Sequence, residues 1–154
     1  MMIYLLDSSA LVKRYVPETG SLWVQNITDP AAANMLLYVA RISGAEVISA
    51  VTRRQRRGQI TETDAAVALD AFRRDFPAGY LILEIRTESV ARAMNLAERH
   101  GLRGYDAVQL AAALELRDQC RLLSLPEPTL VAADHELNTA AQVDGLTVDN
   151  PNNH

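Results

Sequence analysis

Four acidic residues stand singly in conspicuous places. Asp7 closes the apolar run Ile3 to Leu6, and Asp134 closes Thr129 to Ala133. Glu46 has Ile42, Ser43, Ser49 and Ala50 one helical turn away, and Asp106 opens an alanine- and leucine-rich stretch in Gly104-Tyr105-Asp106-Ala107. Each has a structural reading beside a chemical one. Aspartate is among the best N-cap residues, so Asp7 and Asp134 suit the start of a following helix. Glutamate is seldom buried alone, so Glu46 on its small-residue face is a site residue or half of an arginine pair. At a helix start the dipole favours an anion, which suffices for Asp106. The chemical reading is convergence. At an effective dielectric near 20, two carboxylates ~5 Å apart repel by roughly 3 kcal/mol, a large part of a domain's ~5–15 kcal/mol stability. A divalent cation removes that penalty, and an oxygen-only ligand set suits Mg²⁺ or Mn²⁺. His100, His135 and His154 have no metal-ligand spacing and Cys120 has no second thiol, which argues against structural zinc.

Short apolar runs alternate with longer helical patterns, as in βαβ units around a mostly parallel sheet, so the fold class is α/β. Strands are expected at Ile3 to Leu6, Met35 to Val39, Tyr80 to Ile85, Thr129 to Ala133 and, at an edge, Leu146 to Val148. Helices are expected at about Ser9 to Tyr15, after an entry through Pro17, and from about Ile42 to Arg57 before Gly58. Thr61 caps the next, which carries Leu69, Phe72 and Phe76 on one face and ends at Pro77 and Gly79. Thr87 caps another, built on Val90, Met94 and Ala97 and closed at Gly101. A further helix runs from Gly104 to about Arg117, and a short one follows Asp134. In such sheets ligands bind beyond the carboxyl ends of the strands, where Asp7 and Asp134 stand. The small residues Ser8 and Ser9 leave room there and add oxygens.

The 154 residues fit one domain, 1–154, without linker or repeat; 49% hydrophobic and 22% charged content excludes a disordered or fibrous chain. Neither a signal-like leader nor a stretch near ~20 apolar residues is evident, and a lone cysteine suits a reducing compartment, so a cytoplasmic protein without membrane contact is expected. The net charge of −4 argues weakly against nucleic-acid binding, but Arg53, Arg54, Arg56 and Arg57 form one basic cluster, and Lys13 and Arg14 follow Asp7. Arg53, Arg54 and Lys13 are candidates for phosphate contacts; the alternative is a solvated, charged helix end. Tyr105 suits a core place, or stacking on an unpaired base. Trp23 reads as packing or interface.

The chain resembles the PIN-domain ribonucleases and, among them, the toxins of VapBC-type toxin-antitoxin pairs. The resemblance runs from about Ile3 to Pro151. It rests on Tyr4-Leu5-Leu6-Asp7-Ser8-Ser9-Ala10-Leu11-Val12-Lys13, on Glu46-Val47, on Tyr105-Asp106-Ala107-Val108-Gln109-Leu110-Ala111, on Leu130-Val131-Ala132-Ala133-Asp134 and on the closing Gly145-Leu146-Thr147-Val148-Asp149-Asn150-Pro151. It implies a three-layer α/β/α sandwich with Asp7, Glu46, Asp106 and Asp134 around an acidic pocket, and Mg²⁺- or Mn²⁺-dependent hydrolysis of RNA. It also implies a homodimer and a cognate antitoxin whose C-terminal segment wraps the toxin. Many relatives have threonine or serine two residues before the last aspartate, where this chain has Ala132. Metal-assisted hydrolysis does not use the ribose 2′-hydroxyl as nucleophile, so 5′-phosphate and 3′-hydroxyl ends are expected. The competing class is a noncatalytic Rossmann-like regulatory or binding module with an acidic metal site. A receiver module needs paired acids after its first strand and a lysine after its last, neither of which is evident. Asp7-Ser8-Ser9 also stands where a glycine-rich dinucleotide loop would be, and Ser9 where a dehalogenase-like phosphatase needs a second aspartate.

Overall fold

The computed structural model describes residues 1–154. Its strands are β1 (Met2–Leu6), β2 (Met35–Ala40), β3 (Leu81–Leu83), β4 (Thr129–Val131) and β5 (Thr147–Asp149). They lie in the order β3-β2-β1-β4-β5, every pair parallel. The central strand β1 pairs Leu5 with Tyr38 of β2 and Leu6 with Val131 of β4. Side chains alternate across a strand, so β1 feeds two cores at once. Ile3 and Leu5 face one, Leu6 the other.

Helices cover both faces because each carries an apolar side to bury. Leu6 packs in a core with α1 (Ser8–Leu11), α2 (Ser21–Ile27), α3 (Ser43–Arg56) and α4 (Glu62–Gly79). Ile3 and Leu5 pack with α5 (Thr87–His100), α6 (Gly104–Leu122) and α7 (His135–Val143). The result is the three-layer α/β/α sandwich. No helix is long and apolar enough to cross a membrane.

Most element expectations match, and the departures have local causes. Pro17 does not open α2, which begins at Ser21; Gly20 precedes it at φ +83°. Pro77 does not end α4, which continues to Gly79, because a proline near a C-terminus forfeits only one helical bond. Thr87 is the first residue of α5 and not its cap: Ser89 Oγ accepts from the Arg86 amide at 3.1 Å. Beyond Arg117, α6 runs to Leu122 and buries Cys120. Thr61 caps α4 as expected, accepting from the Asp64 amide at 3.0 Å.

The C-terminal turn Pro151–Asn153 docks on α2, where Trp23 stacks on His154 with ring centroids 4.1 Å apart. A Cβ on Gly20 would lie 2.2 Å from the Pro151 carbonyl oxygen, and the positive φ disfavours any side chain. Gly20→Ala is therefore expected to lower stability by about 1–3 kcal/mol, read as a shift in urea midpoint at unchanged slope.

Candidate active site

Chain order reverses between β1 and β4: from β1 the sheet grows one way through β2 and β3, and the other way through β4 and β5. Such a switch point opens a crevice beyond the strand ends. Asp7 and Asp134 flank it. The Asp7 amide extends the pairing by donating to Val131 O at 2.9 Å. Its carboxylate is 2% exposed; Oδ2 accepts from the Ser9 amide (3.1 Å) and hydroxyl (2.5 Å), while Oδ1 is buried without any donor. The Ser9 hydroxyl also accepts from the Ala133 amide at 2.9 Å, tying the end of β1 to the loop after β4. A hydroxyl thus reaches that loop from the first turn of α1, although Ala132 supplies none.

Glu46, on α3, is held by two other elements. Gln109 Nε2 of α6 donates to Oε1 at 2.8 Å, and Ser8 Oγ of α1 donates to Oε2 at 3.1 Å. No arginine pairs with it, so the ion-pair reading fails and the site reading remains. Asp106, in the first turn of α6, has Arg103 as its one ion-pair partner, at 3.9 Å. Asp134 Oδ1 accepts from the Leu137 amide at 2.9 Å, so this residue does cap α7. The buried Asn138 Nδ2 donates to Ala132 O at 2.8 Å and closes the same loop.

These carboxylates feel one another. Burial, with the Glu46 charge adding to it, pushes Asp7 up to about 6 against the Ser9 hydrogen bonds. Burial and then the Asp134 and Asp7 charges push Asp106 to about 6. Glu46 is raised by burial and by Asp106, and lowered by its bonds from Gln109 and Ser8. All four expected acids therefore share one electrostatic neighbourhood. They do not form a closed ligand cage: no three His, Cys, Asp or Glu side chains stand at metal-holding spacing. The physical reason is that Asp7, Glu46 and Asp134 are each anchored by hydrogen bonds of their own, and like charges repel.

Beside the acids lies a cavity of about 590 Å³ whose wall includes Ser8, Glu46, Ser49, Arg53, Arg103 and Tyr105. Arg53 is exposed and has no ion pair, as a phosphate contact requires. Lys13 does not serve: it is 5% exposed, and its Nζ donates to Thr19 O at 2.8 Å and pairs with Glu18 at 3.2 Å. Arg54 borders the cavity but pairs with the same Glu18 at 3.1 Å, so it is a weaker candidate than its neighbour. The core reading of Tyr105 is overturned; the residue is 64% exposed. Arg103 and Gln109 were not singled out from sequence. An arginine three residues before Asp106 was the available signal for the first, whereas a glutamine inside an apolar helix face gave none for its partner on α3.

No protein-family model matches the chain. Among curated proteins, Ribonuclease VapC45 of Mycobacterium tuberculosis is 34% identical over 152 residues, which span 96% of this chain and 95% of the relative. The chain belongs to the VapC ribonuclease family. Its fold agrees with solved structures: FitAcB from Neisseria gonorrhoeae (TM-score 0.60, 19% identity, 97% of this chain and 98% of that one) and a toxin-antitoxin complex from Klebsiella pneumoniae (0.58, 16%, 96% and 97%). At such identities the likeness speaks for the architecture alone.

For this VapC-family chain the raised acids have a measurable consequence. The folded state holds their protons more tightly than the unfolded chain, in which an aspartate titrates near 3.8. Metal-free stability should therefore fall as pH rises from about 4 through about 6. At about 1.4 kcal/mol per pKa unit, Asp7 contributes roughly 3 kcal/mol of that fall. Urea unfolding at several pH values should show a clearly shallower decline for Asp7→Asn than for wild type.

Proposed function

We propose that the chain is an endoribonuclease hydrolysing RNA phosphodiester bonds at the crevice between β1 and β4, as the toxin of a toxin-antitoxin pair. The observation that carries this is a buried, donor-less Asp7 Oδ1 at the strand-end switch point, in a chain whose relative is a ribonuclease. An all-oxygen set with one orphaned oxygen fits a hard cation, Mg²⁺ or Mn²⁺, and Asp7, Glu46, Asp106 and Asp134 would hold it. When bound, such a cation lowers the pKa of water and offsets charge on the phosphate during in-line displacement.

The chain's own groups have separate tasks. Ser9 fixes the Asp7 carboxylate through Oδ2 and leaves Oδ1 free. Ser8 steadies Glu46. Arg53 and Arg103 offer positive charge to phosphates flanking the cleaved bond, offsetting the acidity of the pocket. The exposed Tyr105 ring, next to Asp106, suits stacking on an unpaired base.

The proposed partners are a cognate antitoxin that covers the crevice and a second copy of the chain. Support for the first comes from the solved relative described as a toxin-antitoxin complex. For the second it comes from an exposed apolar face on α5 and α6, where Val90, Met94 (68% exposed) and Val108 border a shallow cavity of about 390 Å³. A cytoplasmic setting suits the single buried thiol of Cys120.

Purified protein should cut RNA with Mg²⁺ or Mn²⁺, stop on EDTA, and leave 5′-phosphate and 3′-hydroxyl ends; 2′,3′-cyclic phosphate would contradict the mechanism. Asp7→Asn should abolish cleavage and leave metal-free stability equal or higher, since a like charge is removed while an oxygen can still accept from Ser9. Marked destabilisation would instead favour a capping role alone. Arg53→Ala should raise KM with little change in kcat and make the logarithmic salt dependence of RNA binding shallower by about 0.7.

A further inference from the structure

We propose that Gln109 is a positioning residue for Glu46, its side-chain amide reaching from α6 across the end of the sheet to fix the Glu46 carboxylate beside Asp106. The inference rests on the metal-site reading above and extends it to a residue outside the acidic set.

Helices α3 and α6 lie on opposite faces of the sheet. Beyond the strand ends their side chains meet. There Gln109 Nε2 donates to Glu46 Oε1 and to Ser43 Oγ, both at 2.8 Å. Gln109 stands three residues after Asp106, so both side chains leave the same face of α6. The bond therefore sets Glu46 on α3 relative to Asp106 on α6. Ser8 holds the other Glu46 oxygen from α1, which leaves a flexible side chain with both oxygens engaged and lone pairs still unused.

The amide orientation follows from charge. Exchanging Nε2 and Oε1 would turn a carbonyl oxygen onto a carboxylate, so only the amino group can face Glu46. That orientation leaves Gln109 Oε1 buried without a donor, on a residue that is 0% exposed. Every other buried residue of α6 is Ala, Leu or Cys. A methionine has similar volume and would remove the orphaned Gln109 oxygen, losing only the bonds to Glu46 and Ser43, so packing alone gives no reason for the amide. A local rule broken in a buried helix face, one residue deep behind a site, points to a role in that site.

The test compares Mn²⁺ titration of metal-free protein by calorimetry, thermal midpoint and RNA cleavage for wild type, Gln109→Met, Ser43→Ala, Glu46→Gln and the double variant Gln109→Met/Glu46→Gln. Gln109→Met should weaken Mn²⁺ binding roughly 10-fold or more and lower kcat with KM nearly unchanged, while its thermal midpoint holds or rises. Ser43→Ala should keep wild-type Mn²⁺ affinity. In the Glu46→Gln background Gln109→Met should add no further loss, since its effect acts through that carboxylate. Gln109→Asn, which keeps the amide but is one methylene short, should reproduce the loss and serves if the methionine variant folds poorly. Unchanged Mn²⁺ affinity in the Gln109 variants overturns the proposal, as does an equal loss in Ser43→Ala or in the Glu46→Gln background. Absence of Mn²⁺ binding by wild type sinks the metal reading and this one together, whereas intact binding in Gln109→Met sinks this one alone.

Discussion

A carboxylate at the centre of a parallel sheet is an expensive thing to bury, and the arrangement around Asp7 follows from that cost. β1 is the middle strand, so Asp7, the residue that follows it, has neighbours on every side and little water. Two hydrogen bonds from Ser9 satisfy one oxygen; the other has none. Burial and the nearby Glu46 charge then leave the group easier to protonate than an ordinary aspartate. A chain assembled only for stability would place an apolar residue there, because a buried anion without a partner costs several kcal/mol.

Glu46 and Asp106 are held apart from Asp7 but near enough to oppose it, and Asp134 in turn opposes Asp106. Each is anchored through a different element: Asp134 as the cap of α7, Glu46 between Ser8 and Gln109, Asp106 at the start of α6. The anchors cross the fold. Ser9 joins the ends of β1 and β4, and Gln109 joins the two helical layers. A capping bond therefore does not exclude the proposed site role for Asp7 or Asp134, since each engages one carboxylate oxygen locally and leaves the other without a hydrogen bond. This is economical placement: the same strand-end position that suits a cap also projects into the switch point.

The surroundings separate cations that are free from those already engaged. Glu18 takes both Lys13 and Arg54, which stabilises the turn after the first helix and withdraws two charges from the surface. Arg53 borders the cavity without an ion pair and Arg103 with only a loose one, 3.9 Å from Asp106, and Tyr105 exposes its ring between this cavity and the apolar face on α5. A negatively charged chain can in this way hold a local positive rim around an acidic pocket.

Much of this was readable along the chain. Apolar runs of four to six residues ending in aspartate marked β1 and β4, and helical spacing in Leu69, Phe72 and Phe76 marked α4, because these patterns report local propensity and a buried face. Thr61, Gly58 and Gly101 marked helix ends for equally local reasons. Position at strand ends also singled out Asp7 and Asp134, and isolation on small-residue faces singled out Glu46 and Asp106. Other features depend on which elements become neighbours. Strand order made the ends of β1 and β4 adjacent; packing on opposite faces brought Gln109 to Glu46 and turned Tyr105 outward; the turn at Glu18 engaged Lys13. Periodicity tells a residue which way to face on its own element, but a hydrogen bond or ion pair needs two elements placed to within about an ångström, and only the assembled core sets that distance.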